Sequence, residues 1–204
     1  MTSPGIRALG IDPGLVRTGW AVVQAQDDAY ELLSAGVIAP DPRAELGARL
    51  LSGFDGISAV LAETAPHLVA IEELFSSPAH PTASLSMAHM RGVLCLAVER
   101  ASLPVRHFTA TTVKQRITGS GHASKEQVRH MVFQLCGMPP RRVRLDLTDA
   151  VALAITAITS EASLRLASND RSMVTSSRKQ RSASVLALLA ERGVGVSDLE
   201  IRGQ

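Results

Sequence analysis

Four acidic residues stand where carboxylates can do chemistry. Asp12 follows an apolar run near the start of the chain, and Glu72 follows a second apolar run. Asp146 and Asp149 are three residues apart at the start of an apolar helical pattern, which places them on one face of its first turn. Each also has an ordinary interpretation. Asp12 suits a turn before Pro-Gly, Glu72 a solvated strand end, Asp146 a helix N-cap and Asp149 a first-turn acid that complements the helix dipole.

The four acids predict different chemistry if the fold brings them together. Carboxylates crowded at one point repel one another unless cations neutralise them. Hard oxygen ligands suit Mg²⁺ or Mn²⁺, and no histidine or cysteine pair here has zinc spacing. Two such ions about 4 Å apart stabilise the attacking and leaving oxygens of an in-line phosphoryl displacement. We therefore predict a site for two divalent ions, which also explains why a carboxylate ends a core strand.

Positive charge is concentrated in one part of the chain. Residues 1–90 carry a net charge of −6 and residues 91–144 a net charge of +8, within a total of +2. An acidic segment beside a strongly basic one favours a polyanionic partner. The alternative is that the two segments interleave in space and cancel.

The basic segment holds the candidate phosphate-binding residues. Lys114 and Arg116 lie on a predicted short helix, and Lys125 and Arg129 lie on the next. The Gly-rich loop 119–125 enters that second helix, where exposed backbone N–H groups and lysines suit phosphate oxygens. A solvated cationic face is the alternative interpretation.

Hydrophobic periodicity predicts the elements that must position these side chains. The chain reads as three strands, then alternating helices and strands, then consecutive helices. The predicted strands are 6–12, 19–26, 31–38, 68–71 and 105–109, and the predicted helices are 44–65, 82–101, 111–117, 124–136 and 146–166. Short polar turns between the first three strands predict antiparallel hairpins, and the later crossovers predict parallel strands.

The predicted fold is α/β, a mixed sheet of three antiparallel strands followed by two parallel ones, with helices on both faces. Residues 1–166 form the predicted domain. Residues 167–204 are Ser-rich and basic and are predicted to be a flexible tail with one short helix at 185–193.

The sequence also bounds the protein's environment. No apolar run reaches the roughly 20 residues of a membrane span, and the N-terminus lacks the pattern of a signal peptide. Cys95 and Cys136 sit in apolar helical patterns without CxxC spacing, as expected of reduced core thiols. We expect a cytoplasmic protein that does not engage a membrane.

Five motifs in register resemble the RuvC Holliday-junction resolvases of bacteria. They are GIDPG with a following Thr-Gly, AIEELF at 70–75, VKQ at 113–115, SKEQVRHM around Lys125, and DLTDAVALAIT at 146–156. The resemblance covers about residues 6–160. It implies a ribonuclease-H-like nuclease domain that uses Mg²⁺ or Mn²⁺, works as a homodimer, and resolves four-way DNA junctions by symmetric paired nicks. It further implies a RuvA–RuvB branch-migration complex as a partner.

The resemblance also assigns roles to individual residues. Asp12, Glu72, Asp146 and Asp149 match the catalytic metal ligands, although relatives carry Asp or His at position 146. Lys114 and Lys125 match DNA-contacting lysines. Phe75 matches an aromatic residue that wedges at the crossover, with a packed strand-end residue as the alternative. Leu147-Thr148 stands where relatives have small residues, and Ser124 where an acid is common.

Two other functions are compatible with parts of the sequence. GIDPGLVRTG resembles the first phosphate loop of actin-like and sugar kinases, but the chain has no second copy of that domain. A junction-binding scaffold without catalysis is the other alternative, and the presence of all four acids argues against it.

Overall fold

The described part of the chain is organised around one five-stranded sheet. The structure, a computed structural model, describes residues 5–26, 29–74, 81–138 and 147–163. The strands are β1 (Arg7–Asp12), β2 (Thr18–Gln26), β3 (Ala29–Ile38), β4 (Leu68–Glu72) and β5 (Val105–Phe108). The helices are α1 (Leu46–Thr64), α2 (Pro81–Arg100), α3 (Ala110–Thr118), α4 (Lys125–Leu135) and α5 (148–163).

The strand order is β3-β2-β1-β4-β5. β1 pairs antiparallel with β2, and β2 pairs antiparallel with β3. β4 pairs parallel with both β1 and β5. The predicted mixed sheet is therefore confirmed. Over the described residues the predicted elements agree with the observed ones to within a few residues at their ends, and the predicted ends of the last helix, at 146 and 164–166, lie outside those residues.

Alternation along the central strands divides the core into two layers. Leu9 and Ile11 of β1 face the α1 and α2 side, where they pack with Met90 and Leu94 of α2. Ala8 of β1 faces the opposite side, which α3, α4 and α5 cover. Both faces are thus buried, as a sheet with parallel central strands requires.

Helix α5 is apolar around its whole circumference because protein surrounds it. Residues 150–155 are each at most 1% exposed. A helix that is hydrophobic on every side belongs in a core. It is packed between the sheet and the helices α3 and α4, which contribute Val113, Ile117 and Val132 to the same cluster.

The remaining sequence predictions concern the cysteines, membrane-spanning helices and the division of the chain. Cys95 and Cys136 are free, as expected, but both are half-buried against the core rather than fully within it. Among the described residues, no helix is both long and apolar enough to cross a membrane. The chain divides into two compact units, Met1–Ser160 and Glu161–Gln204, and the second is described only over residues 161–163. The predicted tail 167–204, with its helix at 185–193, lies outside the described residues, and the boundary at 166/167 stays a prediction.

Candidate active site

Strand alternation directs two of the predicted acids to the same side of the sheet. Side chains two residues apart on a strand share a face. Asp12 therefore shares a face with Ala8, and Glu72 shares a face with Leu68, and both of those apolar residues belong to the core layer covered by α5. β1 and β4 are parallel neighbours with Ile11 opposite Ile71, so Asp12 and Glu72 leave the sheet side by side.

The turn after Asp12 is held by side-chain hydrogen bonds. The fully buried Thr18 donates its hydroxyl to the carbonyl of Gly14 at 2.9 Å. Arg49 of α1 donates from Nη2 to the carbonyl of Leu15 at 3.0 Å. These contacts anchor the segment that follows Asp12 and so restrain the direction in which β1 ends.

Gly10 allows the third acid to approach. A Cβ atom at Gly10 would lie 2.0 Å from the carbonyl oxygen of Ala150 and 2.7 Å from the amide nitrogen of Ala154. The backbone of α5 therefore rests directly on β1, two residues before Asp12. Because Asp149 immediately precedes Ala150, this close packing brings its carboxylate to the end of the strand.

The three carboxylates interact strongly. Burial raises the pKa of Asp12, with the charge of Asp149 adding to the effect and a hydrogen bond from Glu72 opposing it. Burial raises the pKa of Glu72 to about 8, reinforced by the charge of Asp12, their shared hydrogen bond and the charge of Asp149. Glu72 therefore holds a proton near neutral pH and donates it to the Asp12 carboxylate. Such a pair is poised to exchange its proton for a cation.

Lys125 places a positive charge next to Asp149. Its Nζ lies 3.5 Å from Oδ2 of Asp149, with the lysine side chain 82% exposed and the aspartate 38% exposed. The lysine opens α4, whose N-terminus is fixed by a reciprocal capping box between Ser124 and Gln127. Its positive charge also lowers the pKa of Asp12 and of Glu72, which partly offsets the rise that burial causes.

The acids and cations line two adjoining cavities of about 470 and 430 Å³. Asp12, Asp149, Lys125 and Arg17 line both cavities. Arg129 lines the larger cavity, whereas Glu72 and Lys114 line the smaller one. The acidic site thus opens onto a basic surface. Arg17 was not among the predicted residues, although its place in the turn after Asp12 was an available signal.

The donor set suits a hard divalent cation. Asp12, Glu72 and Asp149 offer carboxylate oxygens only. Burial, reinforced by the charges of neighbouring carboxylates, raises the pKa of Asp12 and of Glu72, and a bound cation would offset both effects. Among residues 5–26, 29–74, 81–138 and 147–163, no three acidic, histidine or cysteine side chains are already arranged around one ion position. Asp146, the fourth predicted ligand, lies outside the described residues.

The structure tests only some of the other predicted DNA-binding features, which are Arg116, Phe75 and the Gly-rich loop. Arg116 is exposed on α3 and lines neither cavity. Phe75 lies outside the described residues. The Gly-rich loop differs from its prediction, because several of its amides already donate within the protein. The amides of Ser120, Gly121 and Ser124 donate to the side chains of Thr118, Gln115 and Gln127. The loop therefore offers the side chain of Lys125 rather than an open set of N–H groups.

A sheet of this topology, with acids at the ends of β1 and β4 and at the start of α5, is of the ribonuclease-H-like class. The yeast mitochondrial Holliday junction resolvase Ydc2 shares this fold at a TM-score of 0.58 and 13% identity, over 81% of this chain and 85% of that one.

Sequence and structural comparisons narrow the class to a family. The profile of "Crossover junction endodeoxyribonuclease RuvC" matches residues 8–157. The protein of that name from Paramagnetospirillum magneticum is 42% identical over 151 residues, which cover 74% of this chain and 89% of that protein. The Azorhizobium caulinodans protein of the same name is 37% identical over 156 residues, which cover 76% and 91% respectively.

A solved structure agrees with this match. The RuvC structure from Thermus thermophilus has a TM-score of 0.71 and 28% identity, over 78% of this chain and 97% of that one. Its complex with a Holliday junction substrate gives a TM-score of 0.70 over 78% of this chain and 96% of that one. The chain belongs to the RuvC family of crossover junction endodeoxyribonucleases. Nucleases of this family are generally dependent on divalent metal ions.

Proposed function

We propose that this protein is a metal-dependent, structure-selective endonuclease that resolves four-way DNA junctions by symmetric paired nicks during recombination and repair. The observation that carries the proposal is that Asp12, Glu72 and Asp149 meet at the C-terminal ends of β1 and β4 in a RuvC-family sheet, beside a basic surface. Acids alone would suit many metal sites. Acids that adjoin lysines and arginines suit a substrate whose backbone is a chain of phosphates.

The carboxylates are the proposed metal-binding and catalytic groups. Asp12, Glu72 and Asp149, together with Asp146, hold Mg²⁺ or Mn²⁺, with two ions in each active site. When bound, the ions activate a water nucleophile and neutralise charge on the attacking and leaving oxygens of the phosphodiester. The chain's own contribution is placement. The sheet fixes Asp12 and Glu72, the packing of α5 on Gly10 fixes Asp149, and Lys125 partly neutralises the cluster.

The basic residues are the proposed DNA contacts. Lys114, Lys125 and Arg129 line the cavities and are placed to bind phosphate oxygens next to the carboxylates. Arg116 extends this contact along the exposed side of α3. Phe75 is the proposed wedge at the crossover. Phosphate contacts of this kind position the strand, whereas junction shape provides selectivity.

A homodimer is the proposed working form, because symmetric nicking needs two active sites. Helix α2 buries Met90 and Leu94 against the sheet yet leaves Leu85 63% and Leu96 56% exposed. Leu85 and Leu96 are eleven residues apart and therefore share one face of the helix, opposite its buried side, and an exposed apolar face of this kind is compatible with a seam between two copies. The RuvA–RuvB branch-migration complex is the proposed functional partner, on the family resemblance alone.

Replacing a single acid provides the test of this function. The Asp12→Asn variant and the matched Asp55→Asn variant, in which an exposed residue of α1 is changed, are incubated with a synthetic four-way junction and Mn²⁺. We expect Asp12→Asn to lose at least about 100-fold in cleavage rate while still shifting the junction in a gel. Asp55→Asn retains the wild-type rate. Undiminished cutting by Asp12→Asn contradicts the assignment, and binding without nicking by the wild type under both metals supports a scaffold instead.

A further inference from the structure

We propose that Arg91 is a positioning residue, which fixes the end of β4 and thereby the direction of Glu72. The inference rests on the proposed function, because Glu72 matters there as a metal ligand. It concerns a residue of α2 on the opposite side of the sheet from α5. The support is a pair of hydrogen bonds that join three elements at one point.

The guanidinium of Arg91 makes both bonds at once. Its Nε donates to the backbone carbonyl of Glu72 at 3.0 Å. Its Nη2 donates to Nδ1 of His107, on β5, at 2.9 Å. The Arg91 guanidinium therefore links α2 to the last residue of β4 and to β5. A planar group with fixed donor directions restrains orientation better than a single flexible donor does.

The sheet alone holds Glu72 weakly on the side that faces Asp12. The register between β1 and β4 ends with Ile11 opposite Ile71, one residue before the two carboxylates. Backbone pairing with β1 therefore stops short of Glu72. The hydrogen bond from Arg91 to the Glu72 carbonyl adds an anchor at this point.

The position of Arg91 is itself fixed by the packing of α2 and by its partner His107. Met90, next to Arg91, and Leu94 are both fully buried, which fixes this turn of α2 against the sheet. Burial and the Arg91 charge lower the pKa of His107, whereas the charge of Glu73 raises it. A neutral ring with its proton on Nε2 can accept the Arg91 hydrogen bond at Nδ1.

The main test compares two arginines of the same helix. Arg91→Met removes both bonds. The matched Arg100→Met removes an arginine of the same helix that stacks over the ring of Phe54 in α1. For Arg91→Met we expect the cleavage rate constant at saturating junction DNA to fall about 10- to 100-fold. We expect the Kd for junction DNA to change less than about threefold, because the two bonds that are removed join Arg91 to Glu72 and His107, neither of which is a proposed DNA contact.

Metal binding gives a readout that is independent of activity. Mn²⁺ affinity, measured by calorimetry or by the electron paramagnetic resonance signal of free Mn²⁺, should fall about tenfold in Arg91→Met and stay unchanged in Arg100→Met. Arg91→Lys can reach the Glu72 carbonyl or His107 but not both, so its rate and metal affinity should lie between those of Arg91→Met and the wild type.

Glu72→Gln separates this inference from the function on which it rests. If the wild type does not cut junctions, the proposed function fails. If the wild type cuts and Glu72→Gln does not, while Arg91→Met matches the wild type in rate and Mn²⁺ affinity, the positioning role alone is overturned. Should Arg91→Met fail to fold, Arg91→Lys and His107→Ala decide together, because each leaves at most one of the two bonds that Arg91 makes. Reduced Mn²⁺ affinity in either variant supports the proposal, and unchanged affinity in both overturns it.

Discussion

The contact between Gly10 and α5 makes a sharp prediction, because one methyl group should disable the site while the protein stays folded. In Gly10→Ala, the new Cβ atom would lie 2.0 Å from the carbonyl oxygen of Ala150. Real Cβ contacts are essentially never closer than 3.0 Å. The helix or the strand must therefore move by about 1 Å. The carbonyl belongs to the residue after Asp149, so the movement passes directly to that carboxylate.

The size of the effect follows from this displacement. Overpacking a well-filled core costs about 1–3 kcal/mol. For a domain of this size, each kcal/mol corresponds to a fall of roughly 2–4 °C in Tm. Misplacing a reacting group by about 1 Å can cost about 100-fold in rate. We therefore expect Gly10→Ala to lose far more activity than stability.

The assay compares Gly10→Ala with Gly47→Ala. Gly47 is exposed near the start of α1, and an added Cβ there meets nothing within 4 Å. Single-turnover cleavage of a four-way junction with Mn²⁺, gel-shift binding and thermal unfolding are measured for both variants. Gly10→Ala should cut about 100-fold more slowly with binding reduced less than tenfold. Gly47→Ala should match the wild type in cutting and binding. A Gly10→Ala protein with wild-type rate and Tm would refute the argument that α5 positions Asp149 through this contact.

Three further predictions concern charge and association. In metal-free protein, the pKa of Glu72 is higher in the folded chain than in the unfolded chain, so the folded state keeps this proton to a higher pH. The free energy of unfolding should therefore fall by roughly 1–2 kcal/mol as the pH rises from about 5 to about 8. Denaturant titrations in EDTA should show this slope for the wild type and a flatter one for Glu72→Gln, and equal slopes would contradict it. Lys125→Met removes an exposed ion pair and should change the free energy of unfolding by less than about 1 kcal/mol. It should also weaken junction binding and reduce the dependence of that binding on salt, as measured by gel shift at several salt concentrations. Leu96→Glu should lower the sedimentation mass towards that of one subunit if α2 forms the seam, whereas Leu51→Glu, at an equally exposed site on α1, should not.

Much of the fold could be predicted because its elements carry strong local patterns. The apolar runs of β1, β2 and β4 and the strongly apolar α5 each define an element without tertiary information. Antiparallel hairpins followed by crossovers then leave few possible sheet topologies. Gly10 inside a strand was a usable signal of close backbone approach, although its partner in α5 was not identifiable.

The interactions that tune the site could not be predicted in this way. Arg91 lies 19 residues from Glu72 and 16 from His107 along the chain, and nothing in the pattern of α2 marks it. The Gly-rich loop read as a phosphate cradle, yet its amides are satisfied by the side chains of Gln115, Thr118 and Gln127. Whether a polar group is free depends on its neighbours in space, and single-sequence patterns do not list those neighbours.

The sequence by itself determined which residues could do the chemistry, since only Asp and Glu at element ends offer hard oxygen ligands, and it determined the elements that carry them. Only the tertiary structure decided that Asp12, Glu72 and Asp149 share one cavity, that Glu72 holds a proton beside Asp12, and that Arg91 restrains the strand end. The physical reason is that residue type and local periodicity are properties of neighbouring positions. Electrostatic coupling and packing instead depend on distances between parts of the chain that are far apart in sequence.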